Sequence, residues 1–110
     1  MNRVHVLLLN SRFMNLSKLQ KKYLRKRGHQ LKPVILITGN ALSKSVLQEF
    51  DSTISHHELI KVRIRAADRK SRDAMINELC RKGSADLIYR IGNIALIYRA
   101  NPDLTKIELP

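Results

Sequence analysis

The chain has 110 residues, which is enough for one folded domain and too few for two independent hydrophobic cores. Its hydrophobic content of 44% is ordinary for a folded protein and excludes a disordered chain. The 21 Lys and Arg residues exceed the 9 Asp and Glu residues, and the resulting net charge of +12 favours a polyanionic partner. Residues 1–48 contain ten basic side chains and no acidic one, so we expect one electropositive surface built by the N-terminal half.

The single cysteine and the short apolar segments exclude several other classes of protein. Cys80 has no partner for an internal disulfide, and no Cys and His spacing resembles a zinc site. The apolar run Val4–Leu9 is far shorter than the ~20 residues that span a bilayer, and no signal-peptide cleavage site follows it. We therefore predict a cytoplasmic protein with no metal, no cofactor, no small-molecule substrate and no membrane partner.

The first predicted element is a helix over residues 16–28, with Ser17 as its N-cap and Gly28 at its end. Its apolar stripe contains Leu16, Leu19, Tyr23 and Leu24. Its other faces carry Lys18, Lys21, Lys22, Arg25, Lys26 and Arg27. Six basic residues without one compensating acid exceed what solubility requires, which makes them candidate phosphate contacts.

The second and third predicted elements are a strand and a helix. The run Val34–Ile37 is continuously apolar, which predicts a strand buried on both faces and ending at the turn Thr38-Gly39-Asn40. Apolar residues then recur at helical spacing, which predicts a helix from Leu42 to about Ser55 capped by Asn40 or a neighbour. These residues are Leu42, Val46, Leu47, Phe50 and Ile54.

A period of two marks the next strand, in which Ile60, Val62 and Ile64 alternate with three basic residues. The basic positions are Lys61, Arg63 and Arg65. They are either nucleic-acid contacts or an exposed strand face protected against edge pairing. Arg90 and Arg99 are candidates to extend the same face.

A third helix and a closing hairpin complete the predicted order α-β-α-β-α-β-β. Asp68 is the predicted N-cap and Lys82-Gly83 the end of this helix, whose buried stripe is Met75, Ile76, Leu79 and Cys80. Two strands, Asp86–Ile91 and Ile94–Arg99, flank a type II′ turn at Gly92-Asn93. The tail beyond Asn101-Pro102 is expected to be a loose or edge segment. The order predicts a single α/β domain with a four-stranded mixed sheet packed with helices.

Four sequence motifs resemble the CRM-domain family, in particular its stand-alone bacterial members of the YhbY type. They are Leu31-Lys32-Pro33-Val34, His56-His57-Glu58-Leu59-Ile60-Lys61-Val62, Ile91-Gly92 and Leu96-Ile97-Tyr98-Arg99. The resemblance runs from about Met14 to the C-terminus. It implies a fold similar to the C-terminal domain of a bacterial translation initiation factor, RNA binding, and association with precursors of the large ribosomal subunit.

The sequence departs from the family pattern in two places. The family usually has a GxxG loop after the first strand, whereas the aligned residues Thr38-Gly39-Asn40-Ala41 lack both family glycines. Gly39 can supply positive φ one position later, and amides at the start of the next helix can face a phosphate, with Lys32 and Lys44 flanking the loop. Residues 1–13 precede the usual family start and are interpreted as a flexible extension or a start-codon artefact, and residues 14–110 as the domain.

The predicted function is therefore binding of structured RNA by a monomer that is not an enzyme. A nuclease or methyltransferase would need clustered carboxylates or a Gly-rich cofactor loop, and the sequence contains neither. His56 and His57 are assigned turn or packing roles. A structural component of the mature ribosome and a general RNA chaperone remain alternatives. The predicted RNA-binding residues are Lys18, Lys21, Lys22, Arg25, Lys26, Arg27, Lys32, Thr38, Gly39, Asn40, Ala41, Lys44, Lys61, Arg63, Arg65 and Arg99.

Overall fold

A computed structural model of the chain describes residues 15–39 and 41–110, where three helices and four strands follow one another in the predicted order. They are α1 (Lys18–Gly28), β1 (Pro33–Thr38), α2 (Lys44–His57), β2 (Leu59–Arg65), α3 (Arg69–Lys82), β3 (Asp86–Ile91) and β4 (Ile94–Tyr98). The predictions made for residues 1–13 and for Asn40 lie outside the described residues.

Side-chain caps determine where the helices begin. Ser17 and Gln20 form a capping box at α1, with the Gln20 amide donating to Ser17 Oγ over 3.1 Å. At α3 the Asp68 carboxylate accepts from the Ser71 amide over 2.7 Å, and this hydrogen bond lowers the pKa of Asp68. α2 begins two residues later than predicted because Ser43 is its N-cap.

The four strands form one mixed sheet in the order β1-β2-β4-β3. β1 and β2 are parallel, and β4 is antiparallel to both of its neighbours. In the hairpin between β3 and β4, Gly92 has φ +55° and Asn93 does not have a positive φ. A positive φ at only the first of two turn residues is the pattern of the predicted type II′ turn.

Each face of the sheet carries its own hydrophobic cluster. The larger cluster, on the side of α2 and α3, contains Ile35, Ile37, Phe50, Ile54, Ile60, Val62, Ile64, Met75, Ile76, Leu79, Cys80, Ala85, Ala95 and Ile97. The smaller cluster, on the side of α1, contains Leu16, Leu24, Leu59, Leu96, Tyr98 and Ile107. Gly28 allows the helix to approach the sheet closely, because an added Cβ there would lie 2.5 Å from Leu96 Cδ2. Because α1 is a single helix of 11 residues, it covers only part of this face of the sheet.

Two predictions about burial are wrong for this reason. β1 is buried on one face only, and Val34 and Leu36 on the other face are half-exposed because α1 lies over β2, β4 and β3 instead. Leu19 is also exposed. The buried side of α1 is centred between Leu24 and Gly28, which leaves Leu19 facing solvent.

The C-terminal tail is anchored rather than loose, so that prediction is also wrong. The buried Glu58 carboxylate accepts three backbone N–H groups of the tail, from Asn101 at 2.6 Å, Lys106 at 2.7 Å and Ile107 at 2.9 Å. Ile107 then packs into the same cluster as Leu16. Glu58 was missed because an acidic residue at the end of a helix is normally exposed.

Candidate nucleic-acid interface

All six basic side chains of α1 are exposed, as predicted. Lys18, Lys22 and Lys26 are spaced four residues apart, so they lie along one stripe of the helix. This stripe is opposite Leu24, which is fully buried against the sheet. The three ammonium groups therefore form a row directed into solvent.

Aromatic neighbours position two of the arginines on α1. The Arg25 guanidinium lies over the Tyr89 ring of β3, 4.7 Å from the ring centroid. Arg27 Nη1 donates a hydrogen bond of 3.1 Å to the Tyr23 hydroxyl. Both arginines keep most of their donors exposed while the rings hold the stems against the protein.

Lys21 faces a partly buried carboxyl group on β3. Burial raises the pKa of Asp86, and the positive charge of Lys21 opposes this shift. Asp86 Oδ2 is buried and accepts no hydrogen bond from the described residues. Lys21 therefore has a carboxyl group on β3 as an electrostatic neighbour, although the two form no ion pair.

The basic positions of β2 lie on the same face of the sheet as α1. Leu59 belongs to the smaller hydrophobic cluster, which lies on the side of α1. Residues two apart in a strand share a face, so Lys61, Arg63 and Arg65 lie on the α1 side as well. Arg63 and Arg65 are exposed, whereas Lys61 is half-buried because its partner on β4 is Leu96, which lies beneath α1. The alternation of buried and exposed residues in β2 is as predicted.

The loop after β1 continues this surface. Thr38 is paired with Arg65, so the loop begins beside the last arginine of β2. Gly39 has φ +98°, which confirms that it supplies the left-handed backbone that the missing family glycines would provide. Ala41 and Lys44 are exposed on the far side of the turn, and the first turn of α2 contains no acidic residue. Ala41 also borders a cavity with Glu78 and Lys82 of α3, so a carboxylate lies near the far side of the loop.

Lys32 does not flank this loop. It precedes the first residue of β1, whereas Thr38 is the last, and a six-residue strand separates the two ends by roughly 20 Å. Lys32 and Lys44 flank β1 and the loop in sequence, but the length of β1 separates Lys32 from the loop in space. Lys32 is exposed at the opposite end of the strand.

Arg99 is buried, so its prediction as an RNA contact is wrong. Its side chain is 4% exposed. Nη1 donates to Asp51 Oδ1 and to the Gly83 carbonyl, each over 2.9 Å. Nη2 donates to the Asp51 carbonyl over 3.2 Å and to Ser55 Oγ. This guanidinium joins α2 to the loop after α3 and uses four of its five N–H donors within the protein.

Residues 15–39 and 41–110 form five ion pairs, and the acidic residue of each pair lies on α2 or α3. They join Arg72 to Asp73, Arg81 to Glu78, Lys82 to Glu78, Arg90 to Asp73 and Arg99 to Asp51. Arg90 therefore points to the α3 side and does not extend the basic strand face, contrary to the prediction.

Nine cations on the α1 side take part in none of these ion pairs, and residues 1–14 and Asn40 carry no acidic side chain that could pair with them. We call this surface the basic face. It consists of Lys18, Lys21, Lys22, Arg25, Lys26, Arg27, Lys61, Arg63 and Arg65.

The described residues offer few groups for catalysis. His56 and His57 are exposed and meet edge to face, with ring centroids 4.8 Å apart. Burial raises the pKa of Cys80 to about 12, so its thiol is protonated at neutral pH. Within the described part of the chain no group of three His, Cys, Asp or Glu side chains could hold a metal ion. No helix there is long and apolar enough to span a membrane.

Several bacterial proteins are similar to this chain. A Pseudomonas aeruginosa protein named a probable RNA-binding protein is 43% identical over 93 residues, which cover 84% of this chain and 89% of the relative. A Haemophilus influenzae protein named an RNA-binding protein is 40% identical over 95 residues, 86% of this chain and 95% of the relative. In both relatives the match spans nearly the whole protein.

The fold is also similar to a solved structure. The solution structure of a Staphylococcus aureus protein, described as a candidate RNA-binding protein, superposes with a TM-score of 0.74 at 28% sequence identity. The match covers 86% of this chain and 99% of the other. The model of the CRS1 / YhbY (CRM) domain matches residues 16–99, which include α1 and all four strands. The chain therefore belongs to the CRS1 / YhbY (CRM) domain family.

Proposed function

We propose that this protein binds ribosomal RNA in precursors of the large ribosomal subunit and assists their assembly. The observation that carries the proposal is the basic face, on which nine cations lie together and take part in none of the ion pairs of the described residues. Such a surface repels itself unless a polyanion neutralises it. RNA is the polyanion that the names of the two bacterial relatives support.

The basic face is suited to contacts with the phosphate backbone. Lys18, Lys22 and Lys26 project from a rigid helix over about 12 Å, and Arg63 and Arg65 project from a sheet. Charged groups on rigid elements lose little entropy when they bind, and release of counterions from the phosphates supplies much of the affinity. We therefore infer that the protein recognises structured RNA by shape and charge.

The role in ribosome assembly comes from the family resemblance, and the same chemistry would also serve two other functions. A structural component of the mature ribosome would be present in every large subunit, and a general RNA chaperone would contact many RNAs. An assembly factor instead joins precursor particles and leaves before they mature. We propose that the protein acts as a cytoplasmic monomer and without catalysis.

Gradient fractionation combined with crosslinking tests this function. We expect tagged protein to sediment with particles lighter than the mature large subunit, and its crosslinks to map to large-subunit ribosomal RNA. A variant with Lys18, Lys22 and Lys26 changed to Gln should remain at the top of the gradient. Stoichiometric presence in mature subunits would contradict the assembly role and favour a structural one, whereas crosslinks spread over unrelated RNAs would favour a chaperone.

A further inference from the structure

A row of neighbouring side chains crosses the sheet beside α1 and is left uncovered by the helix. On β1, Leu36 is paired with Arg63 of β2, Arg63 is paired with Ile94 of β4, and Ile94 is paired with Ile91 of β3. Paired residues share a face, so the four side chains form a line across all four strands. We call it the open row. At a strand spacing of about 4.8 Å it is roughly 14 Å long.

Three of the four side chains of the open row are aliphatic, and both ends of the row are exposed. Leu36 is 51% exposed and Ile91 is 62% exposed, and Val34, two residues before Leu36 on the same face, is 53% exposed. The next row towards α1 is covered, because Leu96 lies beneath Gly28 and Tyr89 lies beneath Arg25. Aliphatic side chains clustered on one part of a surface commonly mark a binding site.

The charges around the open row identify the occupant that fits it. Arg63 lies within the row, and Lys61 and Arg65 lie two residues to either side of it on β2. The one acidic residue on this face of the strands is Asp86, which lies at the far end of β3 near Lys21. The aliphatic side chains fit a flat apolar group, and the cations within and beside the row fit negative charges at the edge of that group. The matching ligand therefore has both features.

Unpaired nucleotides have this composition, whereas a regular duplex presents mainly phosphates and riboses. We propose that the open row binds unpaired nucleotides of the RNA, with bases against Leu36, Ile94, Ile91 and the Arg63 guanidinium, and phosphates on Lys61 and Arg65. Bases that are not paired can stack on arginine planes and apolar side chains, and a sheet of four strands has room for two or three of them. This inference rests on the proposed function and adds a preference for RNA with single-stranded segments.

A double variant, Leu36→Thr with Ile91→Thr, tests the inference without changing charge. Threonine suits a strand, and both positions are exposed, so folding should be preserved. We expect affinity for a short unstructured RNA to fall roughly ten-fold, the effect of losing on the order of 60 Å² of buried aliphatic surface. Affinity for a blunt duplex of the same sequence, and the salt dependence of both, should stay unchanged.

The control variant is Leu104→Thr, which removes a similarly exposed aliphatic side chain, 47% exposed, from the tail outside the sheet. It should bind both RNAs as the unchanged protein does. If the double variant binds the single strand normally, or loses both RNAs equally, the inference is wrong.

Three further measurements separate this inference from the proposed function and from other occupants of the open row. Changing Lys18, Lys22 and Lys26 to Gln should weaken binding of both RNAs, and a protein that binds neither RNA would refute the proposed function itself. A change in the sedimenting mass of the free protein caused by the double variant would assign the row to a second copy of the chain. A lower melting temperature that disappears when residues 1–13 are deleted would assign it to that segment. Either result would overturn the inference.

Discussion

The two faces of the sheet differ in what happens to their charges. The acidic residues of all five ion pairs lie on the α2 and α3 side, and the larger hydrophobic cluster packs between these helices and the sheet. On the α1 side nine cations have no such partner, and within the described part of the chain α1 leaves Val34, Leu36 and Ile91 exposed on this face. Charges that are satisfied within the chain stabilise the fold, whereas charges left without a partner are available for a ligand.

Two arginines of the sheet region show the same contrast. Arg99 follows β4 and is buried among Asp51, Ser55 and the Gly83 carbonyl. Arg63 on β2 is exposed and forms no ion pair within the described residues. We therefore expect removal of Arg99 to affect stability and removal of Arg63 to affect binding.

Changing Arg99 to Ala should have the largest effect on stability. The change leaves the Gly83 carbonyl without its side-chain donor and removes a buried side chain, so we expect a loss of about 3 kcal/mol in the free energy of unfolding. Urea denaturation measures it. The matched variant Arg63→Ala should unfold within about 0.5 kcal/mol of the unchanged protein. Equal stability losses in both variants would show that the two faces do not differ as described.

Removing the lysine row of α1 should have the largest effect on binding. If Lys18, Lys22 and Lys26 each neutralise one phosphate, their change to Gln should reduce the slope of log affinity against log salt by roughly 3, which weakens binding roughly 100-fold near physiological salt. Filter binding over a salt series measures the slope. Glutamine keeps the helix propensity, so the melting temperature should hardly change.

A matched variant on the other face serves as the control for this experiment. Changing Arg69, Lys70 and Arg81 to Gln removes three exposed charges from α3. We expect the salt slope to change by less than about 1. A large slope change in this variant together with a small one in the α1 variant would show that the RNA binds on the α3 side and not on the basic face.

Changing Gly39 to Val should weaken binding about ten-fold through geometry rather than charge. Gly39 has φ +98°, which a β-branched side chain resists, so the loop would move its amides away from a phosphate. The salt slope should stay nearly constant because no charge is lost. Gly39→Asn is the control, since Asn adopts positive φ more readily than Val. Normal binding by the Val variant would exclude the loop from the interface.

The smallest effect is expected for Asp86→Asn, measured as melting temperature against pH. Burial raises the pKa of Asp86 in the folded protein, so the folded state holds this proton more tightly than the unfolded state. The stability from this group is fully present below the ordinary aspartate pKa of about 3.9 and is lost as the pH rises through the raised value. The variant should therefore melt a few degrees higher at neutral pH, with a gain that vanishes in acid. A constant gain at every pH would contradict this account.

The sequence is sufficient to predict the elements of this fold because local patterns control them. Alternation in β2, the Ser17 and Asp68 caps and the turn at Gly92-Asn93 each depend on residues close in sequence, and all are found as predicted. The position of α1 on the sheet is a tertiary property. Since that position decides which side of β1 is covered, the exposure of Val34 and Leu36 could not be predicted locally.

The candidate site was predictable to the same extent. The cations of α1 and β2 were identified from charge and periodicity, but their location on one face follows only from the way α1 packs against Leu59 and Leu96. Arg99 was misassigned because its acceptors lie 16 to 48 residues away in sequence. The anchoring role of Glu58 depends on tail amides more than 40 residues distant, and no local pattern reveals it.

Protection of lysines from acetylation, read by mass spectrometry with and without bound large-subunit ribosomal RNA, tests the central claim most directly. The chain carries exposed lysines on both sides of the sheet, so each molecule contains its own control. We predict that RNA protects Lys18, Lys22 and Lys26 of α1, while Lys70 and Lys82 of α3 react as fast as in the free protein. Protection of Lys70 and Lys82 with unchanged reactivity on α1 would contradict the assignment of the basic face as the RNA-binding surface.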